Sequence, residues 1–137
     1  MLLIFKGLEH IADTGQDTQM KNLIDSPPIC RSLLRYIESQ NQEIRIKAIK
    51  VCSYLLSSTI EKVAPQFIQN GLLDIAYKVY KKHEEDTQTV YCIMNMLCNV
   101  AAGRDDDVFK FLNHEISGIL LVYSNYKNQH TVIFLNI

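Results

Sequence analysis

The chain has 137 residues, 47% of them hydrophobic and 21% charged, with a formal net charge of -1. That length suits one domain of ordinary size, and the composition supplies apolar material for a continuous core, unlike that of a disordered chain. Near-neutral charge removes any global pull toward nucleic acid or an anionic membrane. Five glycines and three prolines are too few for a collagen-like, linker-like or turn-rich all-β chain.

In chain order, Met1-Leu2-Leu3-Ile4-Phe5-Lys6 is too short an apolar run for a secretory signal core, and Glu9, His10 and Asp13 follow at once. Residues 1 to 12 pattern as a helix. Met20, Leu23 and Ile24 then mark a short amphipathic helix by their i, i+3, i+4 spacing. Ser26-Pro27-Pro28 closes it, because proline restricts its predecessor and stops a helix. Leu33 and Ile37 place a second helix. Glu43 to Leu56 forms a third, long and apolar nearly all round.

The series then starts again. Ala64, Phe67 and Ile68 repeat the short helix, Asn70-Gly71 supplies a left-handed turn, and Ile75 and Val79 repeat the second helix. Lys81 to Asp86 reads as a solvated connecting loop. Gln88 to Ala102 repeats the third helix. After Gly103, Arg104-Asp105-Asp106-Asp107 reads as acidic capping of the next short helix, marked by Val108, Phe111 and Leu112. Ile119 and Tyr123 mark another second helix, and His130 to Ile137 the start of another third. The period is about 44 residues. The expected organisation is a single helical domain over 1–137. It divides into a partial repeat (1–14), two repeats (15–58 and 59–103) and a partial repeat (104–137).

Each long helix keeps one narrow polar or amphipathic stripe. In the first it is Glu43, Lys47, Lys50 and Tyr54. In the second it is Gln88, Cys92, Asn95 and Asn99, displaced by 45. Steps of +4, +3 and +4 put four residues on one face. Leu3, Lys6 and His10 continue the series toward the N-terminus. A helix stacked between neighbours buries both flanks, so only this strip reaches water, and successive strips align into a ladder. The candidate groove residues are therefore Lys6, His10, Lys47, Lys50, Tyr54, Tyr91, Asn95 and Asn99.

Three helices per period, with the third long and lining a groove, resemble armadillo repeats of the kind in importin alpha and beta-catenin. The segment Met94 to Gly103, Met-Asn-Met-Leu-Cys-Asn-Val-Ala-Ala-Gly, is similar to the importin alpha segment Ala-Trp-Ala-Leu-Ser-Asn-Ile-Ala-Ala-Gly. The resemblance implies an all-α, right-handed superhelical solenoid of stacked three-helix repeats. It has about two complete repeats plus terminal half-repeats, and serves as a protein-interaction scaffold. An importin-alpha-like transport adaptor is the narrower reading. Against it, the peptide-binding tryptophan positions hold Lys6, Lys50 and Asn95. The asparagine survives as Asn99, while its equivalents are Tyr54 and His10. Lysines on that face repel a basic peptide.

The expected partner is thus another protein, offering an extended segment or helix, with acidic residues favoured by Lys47 and Lys50. Leu2, Ile4 and Phe5 at one end, and Val132 to Leu135 at the other, are apolar where a solenoid cap is polar. They point to a fragment of a longer solenoid, or to a subunit whose ends self-associate or meet a larger complex.

No catalytic motif, metal set or cofactor site is expected. Cys30, Cys52, Cys92 and Cys98 form no CxxC pair and read as reduced, mostly buried thiols. His83, His114 and His130 read as surface or helix-end residues. Tyr36, Tyr77, Tyr80 and Tyr123 read as core-edge residues. There is no run of the ~20 apolar residues that a membrane span needs, so no membrane insertion and an intracellular, cytoplasmic or nuclear location are expected.

Overall fold

A computed structural model describes residues 27–58 and 62–123. Among these the chain is helical throughout, with no strand. The helices are α1 (Pro27–Ile37), α2 (Gln42–Leu56), α3 (Val63–Gln69), α4 (Leu72–Lys82), α5 (Thr87–Ala101), α6 (Asp105–Leu112) and a last helical stretch, 116–123, designated α7. The short, medium and long helices fall where the apolar spacing places them. Residues 1–26 and 124–137 carry the expected N-terminal helices, the third-helix start at His130 to Ile137, and the candidates Lys6 and His10. All of these lie outside the described residues.

Local chemistry sets the boundaries. Pro27 and Pro28 open α1, in the first turn, where a helix N–H has no intrahelical acceptor to lose. Asn41 caps α2 by accepting from the Ile44 N–H at 3.2 Å. Gly71, at φ 94°, makes the left-handed step between α3 and α4. Lys81 and Lys82 end α4, where cations complement the helix dipole.

α2 and α5 share the most extensive helix–helix contact in the described structure. Their buried positions coincide at a displacement of 45. Ala48, Ile49, Val51, Cys52 and Leu55 correspond to Ile93, Met94, Met96, Leu97 and Val100, and every one is buried. The fold is therefore repeat-like in its packing as well as in its sequence. α1 and α4 back this pair and supply Leu33, Ile37, Leu72, Ala76 and Val79 to the same core. Each fully buried aliphatic side chain contributes about 1.5–3 kcal/mol, so the α2–α5 seam holds much of the stability. Tyr36, Tyr77, Tyr80 and Tyr123 are partly buried against the core, at its edge.

Two loop readings change in the folded chain. Lys81 to Asp86 is not simply a solvated connection: Lys81 and Lys82 are helical, and Asp86 is the N-cap of α5, accepting from the Thr89 N–H at 3.3 Å. The acidic cluster does not cap α6 by hydrogen bonding either. Arg104 occupies the N-cap without a side-chain cap bond, and Asp105, Asp106 and Asp107 lie inside the first turn. They oppose the positive end of the helix dipole from within it, and Asp107 is buried.

Candidate protein-binding groove

The exposed strip between α2 and α5 is a cleft of ≈360 Å³. α2 contributes Ile46, Lys50, Ser53 and Tyr54 to its walls, and α5 contributes Gln88, Tyr91, Cys92 and Asn95. Four of the sequence-predicted residues, Lys50, Tyr54, Tyr91 and Asn95, thus converge on one concavity. Tyr54 is 43% and Tyr91 49% exposed, which is unusual for large side chains in a chain that buries most of its apolar residues. Lys47 is half-buried on α2, outside the cleft lining.

Asn99 is placed differently from expectation. Its Nδ2 donates to both the carbonyl oxygen and the hydroxyl of Ser53, each at 2.9 Å. The amide therefore stitches α5 to α2 and is committed within the chain, leaving Asn95 as the exposed carboxamide on the strip. Cys92, read as part of the polar stripe, is buried at the cleft floor. Burial pushes its thiol pKa up, the Lys50 ammonium working against that shift. Ile46 and Ser53 were not singled out from the sequence. Ile46 aligns with Tyr91, 45 residues on, which is the signal for it in the sequence.

A charged network closes the α2–α5 seam at one end of the cleft. Arg45 is 3% exposed. Its guanidinium pairs with Asp86 at 2.7 Å and donates to the Thr89 hydroxyl at 3.0 Å. It also donates to the carbonyl oxygens of Ser39 and Gln40, at 3.0 and 3.3 Å. Asp86 further accepts from the Thr89 hydroxyl at 2.6 Å and from Gln42 at 3.0 Å. These donors, led by the Thr89 hydroxyl, hold the Asp86 carboxyl far below the usual carboxylate range, against the effect of burial. His83 has its pKa lowered by burial and then by Arg45 and Lys82, with Asp86 opposing.

At the other side of α5 lies a larger and mostly apolar hollow of ≈490 Å³, lined among others by Tyr77, Tyr80, Val90, Met94, Ile119 and Val122. In α6 and α7, Phe109, Leu112, Leu121 and Val122 are each more than half exposed. His114 sits nearby, with Nε2 2.7 Å from Asp74 and Nδ1 accepting from the Ile116 N–H. Among the described residues no cluster of His, Cys, Asp or Glu could hold a metal ion. Nor is any helix there long and apolar enough to cross a membrane.

Comparison with protein-family models, curated proteins and solved structures yields no match.

Proposed function

We propose that the protein is an interaction scaffold of armadillo-like solenoid design that holds a segment of another protein in the α2–α5 cleft. The observation that supports this reading is the convergence of Lys50, Tyr54, Tyr91 and Asn95 on one open concavity. Exposed tyrosines bury large area at small entropic cost when a partner covers them. Asn95 offers a donor and an acceptor to a partner backbone. Lys47 and Lys50 favour acidic side chains on the partner.

The test selects binders from peptide-display pools of acidic, neutral and basic composition, and then measures their affinity for variants. Lys47→Glu combined with Lys50→Glu is expected to weaken acidic binders about tenfold or more, with helix content unchanged. Equal affinity for both proteins would remove the cleft from consideration.

A second reading, a structural subunit of a larger assembly, draws on the exposed Phe109, Leu112, Leu121 and Val122. Light scattering on the purified chain separates the two: a mass that grows with concentration favours the assembly, and a constant monomer mass favours the cleft.

A further inference from the structure

The two faces of α5 are in unequal states. One face meets α2. The other presents Val90, Met94 and Cys98, which correspond at a displacement of 45 to Arg45, Ile49 and Ser53 of α2. Two of those α2 residues bond to α5 or its N-cap: Arg45 to Thr89 and Asp86, and Ser53 accepts from Asn99, while Ile49 is buried in the core. On α5 no described helix packs on the equivalent face in the same way: Val90 is half-buried and Met94 buried. Val90 and Met94 line the apolar hollow, and Cys98 is exposed. The hollow is therefore the slot that α5 fills one repeat earlier.

The same displacement indicates what fits the slot. Thr89 meets Arg45 in the filled joint, and 45 residues after Thr89 stands Phe134, opposite the equivalent of Arg45, which is Val90. Asp86, the other partner of Arg45, corresponds to Thr131. Arginine has become valine on one side, while aspartate and threonine have become threonine and phenylalanine on the other. A polar joint is thus matched by an apolar one on both sides at once.

We infer that the hollow between α4, α5 and α7 is a docking slot for residues 131–137 of this same chain, with Phe134 set against Val90. The slot is apolar and bounded by Tyr77, Tyr80 and Ile119, and the segment Val132-Ile133-Phe134-Leu135 is apolar to match. At the register positions of Arg45 and Asp86 stand Val90 and Thr131, so the ion pair of the α2–α5 joint has no counterpart there. The inference rests on the internal register and is independent of the cleft.

The experiment uses the full chain with the exposed Cys98 changed to Ser, carrying Val90→Cys with Phe134→Cys, and a short bismaleimide in dilute solution. The control pair is Glu38→Cys with Phe134→Cys, because Glu38 bonds to Lys78 of α4 and neither residue lines the hollow. Intrachain bridging is expected about tenfold above the control, as an effective local concentration predicts. No bridging, or equal bridging in both pairs, would overturn the assignment. A bridged dimer that persists on dilution would also overturn it, and would give the slot to a second copy. Should the cysteine variants fold poorly, Val90→Ala and Phe134→Ala, singly and together, serve instead. Contact predicts coupling of about fivefold in the unfolding equilibrium constant, and additivity refutes it.

Discussion

Replacing Arg45 by Met isolates the contribution of the buried network. Methionine keeps most of the apolar stem, so packing changes little and the guanidinium is what is lost. Four acceptors lose a donor: Asp86, the Thr89 hydroxyl, and the carbonyls of Ser39 and Gln40. Removing one partner of a buried pair costs about 3–5 kcal/mol. The Asp86 side chain is 18% exposed and keeps Gln42 and Thr89 as donors, which favours the lower end. The expected loss is about 3 kcal/mol, or roughly 10 °C in Tm for a chain of this size. Urea titration followed by helix circular dichroism at neutral pH measures it. The Lys78–Glu38 pair, at 2.9 Å with the lysine side chain 73% exposed, is the internal comparison. Lys78→Ala is expected to cost no more than about 0.5 kcal/mol, because exposed pairs gain little in high dielectric. An Arg45→Met midpoint within experimental error of wild type, or a Lys78→Ala loss of equal size, would refute the reasoning.

Two further predictions follow from the same structure. The Asp86 carboxyl is depressed in the folded state, so its contribution is fully present above the unfolded carboxylate pKa of about 4 and fades as pH falls toward the folded value. Thermal melts from neutral to strongly acid pH should therefore show a steeper acid loss for wild type than for Asp86→Asn, and parallel curves would contradict this. Cys98 is the one exposed thiol among the four, whereas Cys30 is pushed up to about 11 and Cys52 higher still by burial. A thiol-reactive chromophore should therefore label one cysteine promptly in native buffer and the remaining three only in denaturant. Prompt loss of more than one thiol would show that the α2–α5 core opens readily.

Helix positions were legible because burial on two sides leaves a strong periodic trace. Ala48 to Leu55 and Ile93 to Val100 repeat that trace almost residue for residue. The cleft was legible for a related reason: Lys50, Tyr54 and Asn95 interrupt apolar helices at one constant face. What escaped were the polar contacts between repeats. Arg45 lies 41 residues from Asp86 and 44 from Thr89, and no local pattern links residues so far apart. Asp86 also closes a charged run, Lys81 to Asp86, whose composition suggests solvent. Its position before Thr87, directly ahead of a long apolar helix, was the one local sign of a capping role. Asn99 shows the complementary limit. Its spacing puts it on the strip, yet the depth of Ser53 opposite decides where its amide bonds.

The contrast between Arg45 and Val90 bears on how the chain avoids mistakes while folding. Similar neighbouring modules invite exchange between copies, since a long helix of one molecule resembles the long helix of another. Should α5 pack against the α5 of a second molecule, Asp86 would meet Val90 where it ordinarily meets a guanidinium. A carboxylate would be desolvated with no cation beside it, and the wrong partner would be rejected by several kcal/mol. Among the described residues the Arg45–Asp86 pair belongs to the α2–α5 joint alone, and it tells apart two long helices whose buried apolar positions coincide.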